Sequence, residues 1–192
     1  MPLHWHKLVP SKPLLYRQDR PKAIMATFTI KGKAFSTNGD LPAVGSDAPD
    51  FTLTDSRLKN QTLSNFKGKK KLIYIVASLD TDVCENTTRK FSEAFSSRDD
   101  AVMLLVSADL PFAQSRYIGK GKIENIKALS GMRNRNFAKD YGVLIQDGPL
   151  AGVMARAVVV IDENDKVVHT QLVEELTNDP DYDQAMTVLS SN

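Results

Sequence analysis

Three runs of almost unbroken apolar residues constrain this chain more than any other feature: "KKLIYIVAS" (residues 70–78), "AVMLLV" (101–106) and "AVVVI" (157–161). A strand with one face in water alternates apolar and polar side chains, so a run without alternation belongs to a strand covered on both faces. The chain therefore needs a central sheet with cover on each side, and the segments between the runs must supply it. Val83, Phe91 and Phe95 fall at helix-compatible intervals, predicting a helix over 83–97 with Asp80, Thr81 or Asp82 as its N-cap. "LPFAQSRYI" predicts a short helix opened by Pro111, "NRNFAKDYG" one that ends near Gly142, and "DPDYDQAMTVLSS" a C-terminal helix with acids at its start. "TFTIKGKAFST" reads as a hairpin turning at Lys31-Gly32, "DFTLTD" as a short strand, and "ARAVVVIDENDKVVHTQLV" as a second hairpin turning at Glu163-Asn164-Asp165. Strands and helices alternate and a hairpin then closes the sheet, which predicts a mixed α/β sandwich.

At 192 residues, 42% of them hydrophobic, the chain can bury one core and needs no second domain. Its formal net charge of +2 is the balance of interspersed opposite charges, so no basic face invites nucleic acid. No apolar run approaches the roughly 18 residues of a membrane span. A single cysteine closes no internal disulfide, which favours a reducing, cytoplasmic setting and makes the N-x-T sequons at Asn60 and Asn86 chance matches. Residues 1–25 differ from the rest: they are rich in proline and basic residues, and read as a flexible or extended arm ahead of a domain over 26–192, in preference to a targeting peptide. Met25 offers an alternative start. His4 and His6 lack a third ligand nearby, so a metal site is not expected. "FKGKKK" (66–71) reads as a solvated loop, and "GKGK" (119–122) lacks the spacing of a phosphate loop.

The one cysteine, Cys84, stands in "SLDTDVCENTTRK", at the predicted start of a helix. The first turn of a helix offers unpaired N–H groups and a positive dipole, which favour the thiolate, the reactive form. Asp80, Asp82 and Glu85 oppose ionisation unless they cap the helix or meet Arg89 and Lys90, and a cation such as Arg89 or Arg133 would have to outweigh them. Taken alone, an isolated cysteine is more often a small buried hydrophobe.

Context alters that balance. "SLDTDVC" resembles the active-site loop of peroxiredoxins, and specifically of their thiol peroxidase subfamily, the atypical two-cysteine type. "VGSDAPDFTL", "SADLPFAQSR", "YGV" with "DGPLAG", and "ARAVVVIDENDKV" resemble further segments of that subfamily in the same order, so the likeness runs from about Ala26 to the C-terminus. The resemblance implies a thioredoxin-like sandwich with an added N-terminal β-hairpin, commonly a homodimer, that reduces hydroperoxides without metal or organic cofactor. It implies that Cys84 is the peroxidatic nucleophile, that Thr81 hydrogen-bonds the peroxide and thiolate, and that Arg133, in "SGMRNRNF", stabilises the thiolate and the transition state. The local acids would then serve as helix caps facing away from the sulfur.

Two departures stand out. The subfamily's resolving cysteine falls at Ile118, so Cys84 sulfenic acid must be reduced by an external thiol, such as thioredoxin, in a one-cysteine cycle. Ala77 replaces the proline that precedes the active-site loop, which predicts a looser pocket. Leu110, Phe112 and Ile118 suit either an apolar collar that favours alkyl hydroperoxides or core packing. The rivals to a thiol peroxidase are a redox sensor or binding protein on the same fold with poor turnover, and a structural module whose cysteine is inert.

Overall fold

The computed structural model describes residues 25–80 and 82–191, with the backbone alone for 82–85. A hairpin of β1 (Thr27–Ile30) and β2 (Lys33–Ser36) comes first, followed by β3 (Leu53–Thr54) and β4 (Asn60–Gln61), a 3-10 turn at Leu63–Phe66, and β5 (Lys70–Ile75). Then come α1 (Asp82–Ala94), β6 (Ala101–Ser107), α2 (Pro111–Gly121), β7 (Ile126–Ser130) and α3 (Asn136–Asp140). β8 (Ala157–Ile161), β9 (Val167–Leu172) and α4 (Tyr182–Ser191) complete the chain. The main sheet runs β4-β3-β7-β6-β5-β8-β9, with β5, β6 and β7 mutually parallel and the other pairs antiparallel. This is the mixed sandwich with an N-terminal hairpin that the resemblance implies.

The unalternating strands are covered on both faces, as their composition requires. Leu72 and Tyr74 of β5, Met103 and Leu105 of β6, and Val158 and Val160 of β8 pack with Phe91 and Phe95 of α1 and Ala185 and Leu189 of α4. The alternate residues Ile73, Ile75, Leu104, Val106 and Val159 pack on the other face with Phe51, Phe66, Phe137 and Tyr141. Each buried side chain of this size contributes on the order of 1.5–3 kcal/mol.

The turn chemistry follows the sequence. Lys31 and Gly32 both take positive φ, 50° and 75°, as a two-residue hairpin turn requires. Pro111 opens α2 behind Leu110. β5 ends at Ile75, three residues short of the predicted strand, because residues 76–80 form the loop that leads into α1. The β8–β9 turn is held by the last residue of the basic stretch 66–71, where it overlaps the predicted strand: Lys71 is fully buried on β5 and donates to Asp162 O at 3.1 Å and to the Asp165 carboxylate. A buried ammonium needs such partners, and here they fix the turn against the central strand.

The hairpin docks through Glu175, whose carboxylate accepts from Thr29 Oγ1, Lys31 N and Gly32 N at 2.8, 3.0 and 3.1 Å. These bonds outweigh partial desolvation and hold the Glu175 carboxyl at about 2, below its ordinary 4.5. A depressed carboxyl contributes fully above its unfolded value and loses that contribution as pH falls. The protection that wild type holds over Glu175→Gln at the Lys31 and Gly32 amides, read by hydrogen exchange, should be complete above pH 4.5, fall progressively below it and be lost only below about pH 2.

Gly142, where α3 ends, has φ +67°, and a Cβ there would lie 1.9 Å from Asp40 O. Gly142→Ala should therefore lower stability by about 3 kcal/mol in urea unfolding.

Candidate active site

Because β5, β6 and β7 are parallel, the loops that follow them all leave the sheet at one edge: residues 76–80, 108–110 and 131–135. The first leads into α1, and Cys84 is the third residue of that helix. The lone thiol therefore belongs to the first turn of a 13-residue helix, where the backbone N–H groups are not yet used within the helix. Thr81 lies outside the described residues, as do the side chains of Asp82 and Glu85. Asp80, a proposed cap, is exposed, with its N–H donated to Ser78 Oγ at 3.2 Å.

One carboxylate ties this edge together. Asp109, just beyond β6, accepts from Ser78 Oγ and Leu79 N, both at 2.8 Å, and from Ser107 Oγ at 2.8 Å. Ser130 Oγ, at the end of β7, donates to Asp109 O, and Gln114 Nε2 of α2 donates to Ser107 Oγ at 3.0 Å and Leu129 O at 3.1 Å. The loop before Cys84 is thus anchored at its second half. Its Ala77, where the family places proline, is only partly exposed.

The arginines near this edge take separate partners among the described residues. Arg133 is exposed; its Nη2 donates to Leu58 O at 2.8 Å and its Nη1 to Asn60 Oδ1, both in the β3–β4 hairpin on the outer side of β7. Arg89 donates from Nη1 to Gly121 O at 3.1 Å, joining α1 to the end of α2. A guanidinium that the sequence reading passed over, Arg156, is buried at 5% exposure beside the end of β5, in the position next to Ala157, which pairs with Ile75. Its Nη1 donates to Tyr74 OH at 3.2 Å, and the Tyr74 ring lies 5.5 Å from Phe91 of α1. The signal available for it was an arginine at the head of an apolar strand, in "ARAVVVI".

Helix α2 separates two concavities. Ala113, Arg116, Tyr117 and Lys120 face Leu79, Asp80 and Asp109 across a pocket of about 190 Å³ at the loop that leads into α1. Ser115, Ile118 and Gly119, on another stripe of α2, line a groove of about 690 Å³ with the β3–β4 turn and β7. Ile118 therefore faces that groove, and not the Leu79–Asp80 loop. Leu110 and Phe112 are 54% and 58% exposed, which removes core packing as their role. Among the described residues there is no cluster of three or more potential metal ligands, and no helix is long and apolar enough to cross a membrane.

The comparisons with known proteins agree with this architecture. The Redoxin family model matches residues 43–186. The thiol peroxidase of Mycobacterium tuberculosis is 45% identical over 167 residues, 87% of this chain and all of the relative. Among solved structures, a peroxiredoxin-like protein from Aquifex aeolicus superposes with a TM-score of 0.81 at 38% identity, covering 86% of this chain and 97% of the other. The thiol peroxidase from Chromobacterium violaceum gives 0.79 at 26% identity, covering 85% and 95%. With its lone thiol at the head of α1, on the edge where three parallel strands end, this chain belongs to the redoxin family and, within it, to the thiol peroxidase group of peroxiredoxins.

Proposed function

We propose that this chain reduces hydrogen peroxide and alkyl hydroperoxides through Cys84, in a cycle completed by an external thiol. The observation that carries the reading is the position of the only cysteine, in the first turn of α1 at the edge organised by Asp109. The Cys84 thiolate attacks the terminal peroxide oxygen. An S–O bond forms as the O–O bond breaks, the sulfur is oxidised by two electrons to sulfenic acid, and the departing oxygen takes a proton to leave as water or alcohol. A thiol of the reductant then attacks the sulfenic acid sulfur, water leaves, and a second thiol resolves the mixed disulfide to return Cys84. A dithiol protein such as thioredoxin supplies both. In this reading Thr81 hydrogen-bonds the peroxide and Arg133 stabilises the thiolate and the charge that develops on the peroxide oxygens. The protein works in the cytoplasm as a homodimer, to which the exposed Leu110 and Phe112 lend apolar surface.

Rapid mixing with one equivalent of cumene hydroperoxide tests the reaction. Wild type should form sulfenic acid quickly and recover its thiol when reduced thioredoxin is added, while Cys84→Ser forms none. Oxidation that stalls after one turnover would favour a sensor, and slow thiol labelling of the native protein an inert cysteine.

Asp109→Ala releases Ser78 and Leu79 from their anchor, and displacing a reactive group by about 1 Å typically costs on the order of 100-fold. The oxidation rate should fall about 10- to 100-fold, with far-UV circular dichroism unchanged. Sedimentation velocity should give roughly twice the 21.3 kDa chain mass.

A further inference from the structure

The groove beside Ile118 is bordered by a stretch of sheet edge that the fold leaves open. β3 meets β7 at a single pair, Thr54 with Ser130, and then turns away at Asp55 toward β4. Gly131 N donates to Ser107 O, and in a parallel ladder alternate residues bond the same neighbouring strand. Lys127 and Leu129 therefore direct their backbone groups to β6. Ile126 and Ala128 direct theirs outward, where among the described residues no strand pairs with them. Residues 126–129 line the groove over about 13 Å, with Ser115, Ile118 and Gly119 of α2 on one side and the β3–β4 turn on the other. An open edge of this kind accepts an extended peptide as an added strand, main-chain bonds supplying affinity and side-chain contacts specificity.

The charges around the groove select the sign of that peptide. Arg57, Lys59 and Lys127 line it and are exposed. Asp55 is the one acid in the lining, and its carboxylate is already taken up by Arg57 N, Lys59 N and Gln61 Nε2 at 2.8, 2.9 and 2.8 Å. Among the described residues the ammonium groups of Lys59 and Lys127 have no carboxylate partner. The chain's own N-terminal stretch carries Lys7, Lys12, Arg17, Arg20 and Lys22 against Asp19, so it would bring like charge to the groove. A second copy docked edge to edge would set the same cations against one another. We propose that this groove is a docking site for an extended acidic segment of a partner protein, which adds to the sheet along residues 126–129. The half-buried Ile118 and Ile126 meet alternate side chains of that segment, and Arg57, Lys59 and Lys127 meet its carboxylates.

The test is titration of the isotope-labelled full chain with two blocked, fluorophore-tagged octapeptides, one alternating glutamate with valine and one alternating lysine with valine. Anisotropy reads affinity, and amide hydrogen exchange reads strand addition. The acidic peptide should bind with a Kd of about 0.1 mM or tighter and weaken as salt is added, whereas the basic peptide should not bind. Exchange at the Ala128 amide should slow at least about tenfold in the complex. Lys59→Glu/Lys127→Glu should weaken the acidic peptide at least about tenfold. Ala128→Pro, which removes an outward N–H and no ladder bond, should weaken it by a similar factor. The lysine variant changes only exposed side chains, so it decides the matter alone if Ala128→Pro does not fold. Absence of binding at about 1 mM, binding that leaves Ala128 exchange unchanged, or affinity indifferent to the lysines overturns the proposal. Protection of Ala128 that grows with protein concentration in the absence of peptide would assign the edge to a second copy and overturn it as well.

Discussion

Burial of β5 on both faces is the constraint from which the rest of the architecture follows. Leu72 and Tyr74 face one layer and Ile73 and Ile75 the other, and all four are inaccessible to solvent. A polar group placed on either face would have to be desolvated without water to replace its hydrogen bonds. Chemistry is therefore driven to the sheet's edge, where the strands end and loops can meet solvent. Parallel pairing of β5 with β6 and of β6 with β7 brings three such loops together on one side, although the first and third begin 55 positions apart in sequence (76 and 131).

At that edge Asp109 turns proximity into fixed geometry. Its carboxylate satisfies a side-chain hydroxyl and a backbone N–H of the loop before α1, and its own carbonyl receives Ser130 from β7. Proline at position 77 would stiffen this loop by restricting φ, and alanine does not. The Asp109 bonds to Ser78 and Leu79 restrain the chain from the other end, one residue further along. The looser pocket expected from Ala77 is thus opposed by a hub to which serine, leucine and a distant strand all contribute.

The sequence made the buried strands, both hairpins, the Pro111 helix start and the glycine after α3 legible because each has a local physical cause: missing alternation, turn residues suited to positive φ or to polar turns, a ring that fits the first helical turn, a left-handed cap. β7 was not legible. Its residues "IKALS" mix exposed and buried positions, and its strand character comes from pairing with β6. Nor was the partner of Lys71, which ends a basic stretch at the start of the β5 run and which tertiary structure buries against Asp165. Position 84 at the head of a helix could be read from spacing alone, whereas the setting of the arginines could not. Arg133 is held by Leu58 and Asn60, more than 70 residues earlier, and Arg156 meets Tyr74 across 82 residues.

The loss of a second thiol also has a structural side. Ile118 lies on the stripe of α2 that faces β7 and the β3–β4 turn, while Ala113, Arg116 and Tyr117 face the loop before Cys84. Position 118 thus lies on the stripe of α2 away from the Leu79–Asp80 loop, on the side that packs with β7. Isoleucine there forms no disulfide and adds apolar surface that favours the packed helix. Under the proposed one-cysteine cycle, α2 can therefore stay folded while the sulfur is oxidised and reduced. The pocket between α2 and the Leu79–Asp80 loop then keeps its walls through the cycle, without repeated local unfolding of α2.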